Sequence, residues 1–363
     1  MTIVVKIGTS SLTDDAGQID RFAVTKLCDE VATAHGAGRR IVVVTSGAIA
    51  AGLPALEMAD RRPTDSPTLQ AISAVGQTRL MRVYNDALEQ RGLVGGQVLL
   101  APLDFTIRQQ YLHARQTLTR LLDLGVVPIV NENDAIADDE IRFGDNDRLA
   151  ALVAHLVGAS LLLLLTDTAG LLSADPRLDP SASLISEIVE IDHELERLAG
   201  GSGSIGGSGG MASKIAAAKM ASWSGVRTII ASAARENVVA DAIAGRPGVG
   251  TVVNPHDRRL PARKLWIAFA TGSHGLVTVD GGARAALMEL GRSLLAAGVT
   301  GVEGVFDAGD AVEVAGPDGS VFAKGIVTVD AATLASIAGG HSTQRPDAGP
   351  PEVIHRDDLV MVP

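Results

Sequence analysis

The sequence predicts an α/β fold: a mainly parallel sheet with helices on both faces, followed by a small C-terminal β-rich barrel. Three observations carry that prediction. Strand-like and helix-like segments alternate through the first two-thirds of the chain. The strand-like segments are continuous apolar runs rather than in–out alternations, which marks strands buried on both faces of a parallel sheet. Near residue 255 this pattern gives way to shorter, alternating strands.

In chain order, the strand candidates of the first region are "IVVKIG" (3–8), "RIVVVTSG" (40–47), "GQVLLAP" (96–102), "VVPIVNEND" (126–134), "SLLLLLTD" (160–167) and "VRTIIAS" (226–232). Between them lie amphipathic segments. Residues 21–35 place Val24, Leu27, Cys28 and Val31 on one stripe, with Asp20 as a cap and Gly36 as a stop. Residues 111–124 and 146–157 behave similarly, and "DHELERLA" also reads as helical. "NPHDRRLPARK" (254–264) is polar, basic and carries two prolines, the composition of a linker. The resulting division is a first domain over 1–255, a linker over 256–272 and a second domain over 273–363. Within the second, "AGPDGS" between alternating runs signals a hairpin. Helical breaks fall around 283–296 and 331–338, and 339–351 reads as a loose loop.

Composition narrows the class. At 363 residues the chain is long for one domain, and with 46% hydrophobic residues it has ample material for a core. The longest apolar stretch, "VGASLLLLL" (157–165), is far too short to span a bilayer, which needs about 20 residues. "MTIVVKIG" enters a strand directly, without the features of a signal peptide. A single cysteine excludes an internal disulfide and fits a reducing cytoplasm. The formal charge of −11 argues against a default affinity for nucleic acid or anionic membrane, while leaving a local phosphate site open.

Polar residues gather where the strands run out. Lys6 sits inside an otherwise apolar strand followed by "GTSS"; later strands end in "TSG", "NEND" and "TD". In a doubly wound parallel sheet ligands bind outside the carboxyl edge, so these tails are expected on one rim. A buried lysine needs a partner charge, which a bound phosphate would supply. "GGSGSIGGSGGMASKI" (200–215) is a second candidate. Its Gly201, Gly203 and Gly206 have dinucleotide-motif spacing, but no strand precedes them. Nor is it a Walker A loop, since Met211, Ala212 and Ser213 separate Gly210 from Lys214. A plain linker is disfavoured because "VRTIIAS" returns to the sheet pattern, leaving a loop whose N–H groups wrap an anion ahead of a helix. Lys214 in that helix's first turn opposes the helix dipole unless an anion is present. "NENDAIADDEIRFGDNDRL" (131–149) is the other dense cluster, suited to an amine, a Mg²⁺ ion or both, with Asp145 or Asp147 alternatively a helix cap. No His/Cys spacing suggests zinc, and no nucleophile elbow is present.

Together, "VVKIGTSSLT", "VVVTSGAIAAG", "AVGQTRLM", "PIVNENDAI", "FGDNDRLAALVA", "LLTDTAGLLSADPR" and "GGSGGMASKIAAAKMA" resemble the glutamate 5-kinase family of the amino-acid kinase superfamily, in order along essentially the whole chain. The tail resembles the PUA domain attached to many of those kinases. The resemblance implies an ATP- and Mg²⁺-dependent kinase that phosphorylates the side-chain carboxylate of L-glutamate. It further implies feedback inhibition by proline, a homo-oligomer and a cytoplasmic location. By matching motifs, Lys6 and Lys214 correspond to the lysines on the transferring phosphoryl group, and Asp147 to the aspartate that positions them. Ser46, Asp134 and Asn146 correspond to glutamate-binding positions. Thr166 and Asp167, with Ser208, Gly209, Gly210, Met211, Ala212, Ser213 and Lys214, correspond to the nucleotide-binding segments, and no metal ligand is assigned. The Gly/Ser run before "GGM" is longer than the family pattern. An RNA-binding role for the tail is the reading from another class. Five Lys and Arg against twelve Asp and Glu over 273–363 make that tail a poor match for a phosphate backbone.

Overall fold

A computed structural model describes residues 1–59, 62–105, 107–136, 146–174, 179, 181–200, 210–257, 259–340 and 352–362. Contacts divide the chain into two units, Met1–Leu260 and Pro261–Pro363.

The first unit contains strands β1 (Thr2–Ile7), β2 (Arg40–Val44), β3 (Gly95–Leu100), β4 (Val127–Glu132), β5 (Leu161–Thr166), β6 (Glu187–Ile188), β7 (Arg227–Ser232) and β8 (Thr251–Val253). They form one sheet in the order β3-β4-β2-β1-β5-β7-β8-β6. All pairings are parallel except β7 with β8. The helices are α1 (Arg21–Gly36), α2 (Ala48–Gly52), α3 (Ser66–Glu89), α4 (Arg108–Asp123), α5 (Asn146–Leu156), α6 (His193–Gly200), α7 (Met211–Trp223) and α8 (Val238–Ala244). The continuous apolar runs of the sequence are the central strands. Every residue of β1, β4 and β5 is buried, because helices cover both faces.

Strand periodicity sorts the faces. Ile3, Val5 and Ile7 of β1 join Ile41 and Val43 of β2 in a cluster with α1, α3 and α8. Successive side chains point to opposite faces. Val4 and Lys6 therefore turn the other way, where α5 packs on β1 and against α7. Asp20 caps α1, its side chain accepting from Phe22 N. Cys28 is buried in the stripe expected of α1, and burial pushes its thiol up to about 12, which leaves it unreactive at neutral pH.

α3 is the element the sequence conceals. The N-terminal half of its buried stripe is Ile72, Ser73, Gly76 and Gln77, too polar and too small to read as an apolar face. It packs on α2 rather than burying an aliphatic stripe there. Glycine makes that approach possible: a Cβ on Gly76 would lie 1.7 Å from Ala48 O and 2.5 Å from Gly52 N. Gly76→Ala is expected to cost about 1–3 kcal/mol through overpacking against backbone. A melting curve should show it as a fall of roughly 2–4 °C per kcal/mol. An unchanged midpoint would mean that α2 slides freely away.

The second unit begins with α9 (Ala262–Leu265) and a π-helical turn at Trp266–Ala270. Its sheet contains β9 (Gly275–Val279), β11 (Val299–Gly304), β12 (Ala311–Ala315), β13 (Val321–Ile326) and β15 (Leu359–Met361), in the order β11-β9-β12-β13-β15. β10 (Leu294–Leu295) pairs separately with β14 (Glu352–Ile354), and α10 (Gly281–Leu290) and α11 (Ala331–Ile337) complete the unit. Their inward faces share one core with Val277, Phe306, Val312, Phe322 and Leu334. Of the linker-like stretch, His256 N and Leu260 N donate to Ser222 O and Trp223 O in the first unit. The loop expected over 339–351 lies mostly outside the described residues. No helix among the described residues is long and apolar enough to cross a membrane.

Candidate active site

β1, β2 and β5 pair in parallel and in step, with Lys6 opposite Val44 on one side and Leu164 on the other. Their carboxyl ends therefore reach one rim, where the chain continues into polar residues. A cleft of about 810 Å³ opens there, its wall including Lys6, Ser46, Asn131, Asp134, Asn146 and Lys214. That volume lies within the range of small-molecule sites, about 300–1,000 Å³.

At the head of the cleft three charged side chains meet from three elements. Lys6 Nζ lies 2.5 Å from Asp147 Oδ1, and Lys214 Nζ lies 3.2 Å from Asp147 Oδ2. Ser213 Oγ donates to the same Oδ2 at 2.9 Å. Asp147 is fully buried, and Lys6 and Lys214 are 2% and 5% exposed. The meeting depends on α5 and α7 lying close, which their buried alanines allow: Ala150, Ala151 and Ala154 on one, Ala217, Ala218 and Ala221 on the other. Burial alone would raise the Asp147 pKa. The two ammonium groups and the Ser213 hydroxyl outweigh it and hold the carboxyl below its ordinary value. The charge the sequence demanded beside Lys6 is thus supplied by the protein itself. Two ammonium groups sharing one carboxylate still favour an incoming anion.

α7 opens on the same point. Its N-cap is Gly210, and no side chain among the described residues caps its first turn. Backbone N–H groups and the positive end of the helix dipole therefore face the cleft beside Lys214. Gly210 and Thr166 line the cleft. Asp167 is exposed and accepts from Thr166 Oγ1 at 3.0 Å, outside the cleft wall. Met211 and Ala212 occupy the first turn of α7, with Ala212 exposed. Ser208 and Gly209 lie outside the described residues, as do Asp145 and the glycines Gly201, Gly203 and Gly206.

The lining also includes amides and carboxylates. Ser46 lies in the connection between β2 and α2; Asp134 opens a 3₁₀ turn after β4 and accepts from Ser73 Oγ at 2.7 Å. Asn146, at the start of α5, donates through Nδ2 to Thr45 O at 2.5 Å and to Asn131 Oδ1 at 2.6 Å. Sequence reasoning placed Asn131 and Glu132 in a strand-ending polar cluster suited to an amine or Mg²⁺, without giving either an individual role. The fold buries both within β4, at 2% and 6% exposure, and both line the cleft. That reasoning gave no role to Thr45 and Gln77, although both lie in quoted motifs, and missed Ser73 and Tyr84 altogether. Tyr84 OH is 2.8 Å from Thr45 Oγ1, securing the strand end from which Ser46 projects.

A mostly parallel sheet with a buried Lys–Asp–Lys cluster at its carboxyl rim defines an α/β protein with a candidate site where such folds bind ligands. The chain belongs to the amino acid kinase family, whose model matches residues 1–232, and a PUA domain matches 275–345. Within that family it is similar along nearly its whole length to proteins named glutamate 5-kinase. The one from Pelobacter propionicus is 45% identical, covering 99% of this chain and 97% of its own length. That from Frankia casuarinae is 48% identical, covering 99% and 96%. Among solved structures, the UMP kinase of Bacillus anthracis overlays 70% of this chain and 96% of its own with a TM-score of 0.50 at 14% identity, a likeness of fold alone.

Proposed function

We propose that this chain is an ATP-dependent kinase that converts L-glutamate to L-glutamyl 5-phosphate, the first step of proline biosynthesis. The observation that carries this reading is the convergence of Lys6, Lys214 and Asp147 beside the start of α7, at a cleft whose lining also includes Glu132 and Asp134. The near-full-length similarity to glutamate 5-kinases supports the choice of acceptor.

The chemistry follows from charge. The acceptor carboxyl has a reference pKa of about 4.3, so at neutral pH it is already the nucleophile and no general base is required. A carboxylate oxygen attacks the γ-phosphorus of ATP, and the bond from that phosphorus to the β–γ bridging oxygen breaks as ADP leaves. The difficulty is bringing one anion to another. In this reading Lys6 and Lys214 offset the phosphoryl charge, and Asp147 holds the two ammonium groups in place. Gly210, Met211, Ala212 and Ser213, with Thr166 and Asp167, belong to the nucleotide side, and Ser208 and Gly209 are assigned to it by motif. Phosphoryl transfer is mostly positioning and charge neutralisation, which such a site supplies. Among the described residues no group of three or more His, Cys, Asp or Glu is arranged to hold a metal ion. Mg²⁺, if bound, would enter with the ATP phosphates and would supply neutralisation of their charge.

Ser46, Asp134 and Asn146 form the acceptor side, with the Asp134 carboxylate taking the α-ammonium group. Asp134→Ala is expected to raise the glutamate KM about 10-fold or more, since a charge-assisted hydrogen bond is lost, and to leave the ATP KM within about twofold. An effect confined to ATP would remove Asp134 from this role. The acceptor itself is tested by assaying glutamate, N-acetylglutamate, aspartate, carbamate and UMP side by side with ATP. Preference for any other acceptor would overturn the reading. Proline inhibition, a homo-oligomeric state and a cytoplasmic location accompany this reading.

A further inference from the structure

Three buried amides run from the middle of α3 to the acceptor side of the cleft. Gln77 is 7% exposed, Asn131 2% and Asn146 5%. An amide can be turned either way round, and its two ends do opposite chemistry: the nitrogen only donates, the oxygen only accepts. Here backbone groups, which cannot turn, set the direction of the two asparagines, and Asn131 in turn sets that of Gln77. Glu132 N donates to Asn131 Oδ1 at 2.9 Å, so the oxygen of Asn131 faces its own strand. Its nitrogen must then face α3, where Asn131 Nδ2 donates to Gln77 Oε1 at 2.8 Å. At the other end, the carbonyl of Thr45 accepts from Asn146 Nδ2, and the same nitrogen donates to Asn131 Oδ1. Both hydrogens of the Asn146 amide are thereby engaged. The polar atom left to Asn146 is its oxygen, which can only accept.

Asn146 lines the cleft together with Glu132 and Asp134. That wall therefore presents acceptors: an amide oxygen beside carboxylates. Such a surface suits a group rich in donors and rejects one that brings its own carbonyl.

Gln77 itself carries a cost that identifies its task. Its Nε2 is buried without a hydrogen-bond partner among the described residues. A buried donor left unsatisfied is penalised, and leucine or methionine would fill a similar volume without one. Turning the amide over would place two nitrogens against each other at Asn131. The orphaned nitrogen is thus the consequence of keeping the oxygen on Asn131.

We propose that Gln77 is a positioning residue for acceptor specificity: its oxygen takes the buried Asn131 amide hydrogen and so holds the Asn131–Asn146 pair in the place from which it presents acceptors to a free α-ammonium group. Gln77 lies outside the cleft wall and acts only through those two asparagines. The inference rests on the reading of the protein as a glutamate kinase.

The experiment measures steady-state kinetics of the full chain and of Gln77→Leu and Gln77→Glu with varied glutamate, N-acetylglutamate and ATP. Gln77→Leu removes the acceptor for Asn131 and leaves that buried nitrogen unpaired, so that the side chain shifts to regain a partner and displaces Asn146. Its glutamate KM is expected to rise about 10-fold, as for the loss of a buried partner. The ATP KM should stay within about twofold, and the preference for glutamate over N-acetylglutamate should fall. Gln77→Glu keeps an acceptor oxygen at that place and should return the glutamate KM to within about threefold of the parent. If leucine does not pack, Gln77→Met gives the same split, its flexible chain filling the site. An unchanged glutamate KM in the leucine or methionine variant overturns the proposal. So does a parallel rise in both KM values, which would mark a general structural role, and so does a failure of Gln77→Glu to restore what Gln77→Leu loses. Failure of the underlying reading looks different: the parent chain itself would not phosphorylate glutamate.

Discussion

Replacing Asp147 with alanine is expected to destabilise the first unit by about 3–5 kcal/mol, the usual cost of removing one partner from a buried ion pair. The size follows from what stays behind. Lys6 and Lys214 are both almost fully buried and both face this carboxylate, so its loss leaves two ammonium groups together in a region that solvates neither. Chemical denaturation measures the effect directly, and a midpoint equal to the parent's would show that the lysines find water instead. The pH dependence has a defined sign. The folded carboxyl titrates below its ordinary value of 3.8, so its stabilisation is present above that value and is lost as the pH falls through the lower folded one. The gap between parent and variant should therefore be flat from about pH 6 to 8 and close only in acid. Asp147→Asn keeps the shape and loses the charge. It separates electrostatics from packing: a loss close to that of alanine assigns the effect to charge.

The lysines give the complementary result. Lys214→Ala and Lys6→Ala should each fold, because Asp147 keeps one ammonium partner in either variant. Turnover should nevertheless fall by about 10²–10³, roughly 2.7–4 kcal/mol, the range for deleting one preorganised donor aimed at developing charge. The effect is expected in kcat more than in the glutamate KM, since the charge neutralised is largest while the phosphoryl group moves. Lys214→Arg should recover only part of the loss: a planar fork does not reproduce a compact point charge at 3.2 Å from Asp147 Oδ2. A kcat within twofold of the parent in either alanine variant would place that lysine outside the reaction. Measuring stability and turnover on the same three variants separates the roles, because the aspartate dominates one scale and the lysines the other.

Much of this was legible one residue at a time. The apolar run around Lys6 declared a buried strand, and a charge within it declared a site, because hydrophobic burial and the cost of an unpaired charge act wherever the strand is placed. The polar strand endings were readable for the same reason, as a parallel sheet brings its carboxyl ends to one edge. The first-turn placement of Lys214 against the helix dipole was equally a local signal. Asp147 was harder. By position it reads as well as a helix cap as an ion partner, and only family resemblance separated the two.

Other features have no local signature. Ser73, Gly76 and Gln77 make α3 look like a poor helix in the chain. In the fold they are the residues that let α2 approach and that reach Asp134 and Asn131. The sequence by itself determined the strands, the rim and the conspicuous lysines, since periodicity and burial are properties of neighbouring residues. Only the tertiary structure decided which carboxylate both lysines share and which way each buried amide points. Those choices depend on packing across α3, α5 and α7, and on backbone groups of Thr45 and Glu132 that lie 87 positions apart yet hold the two ends of one hydrogen-bonded chain.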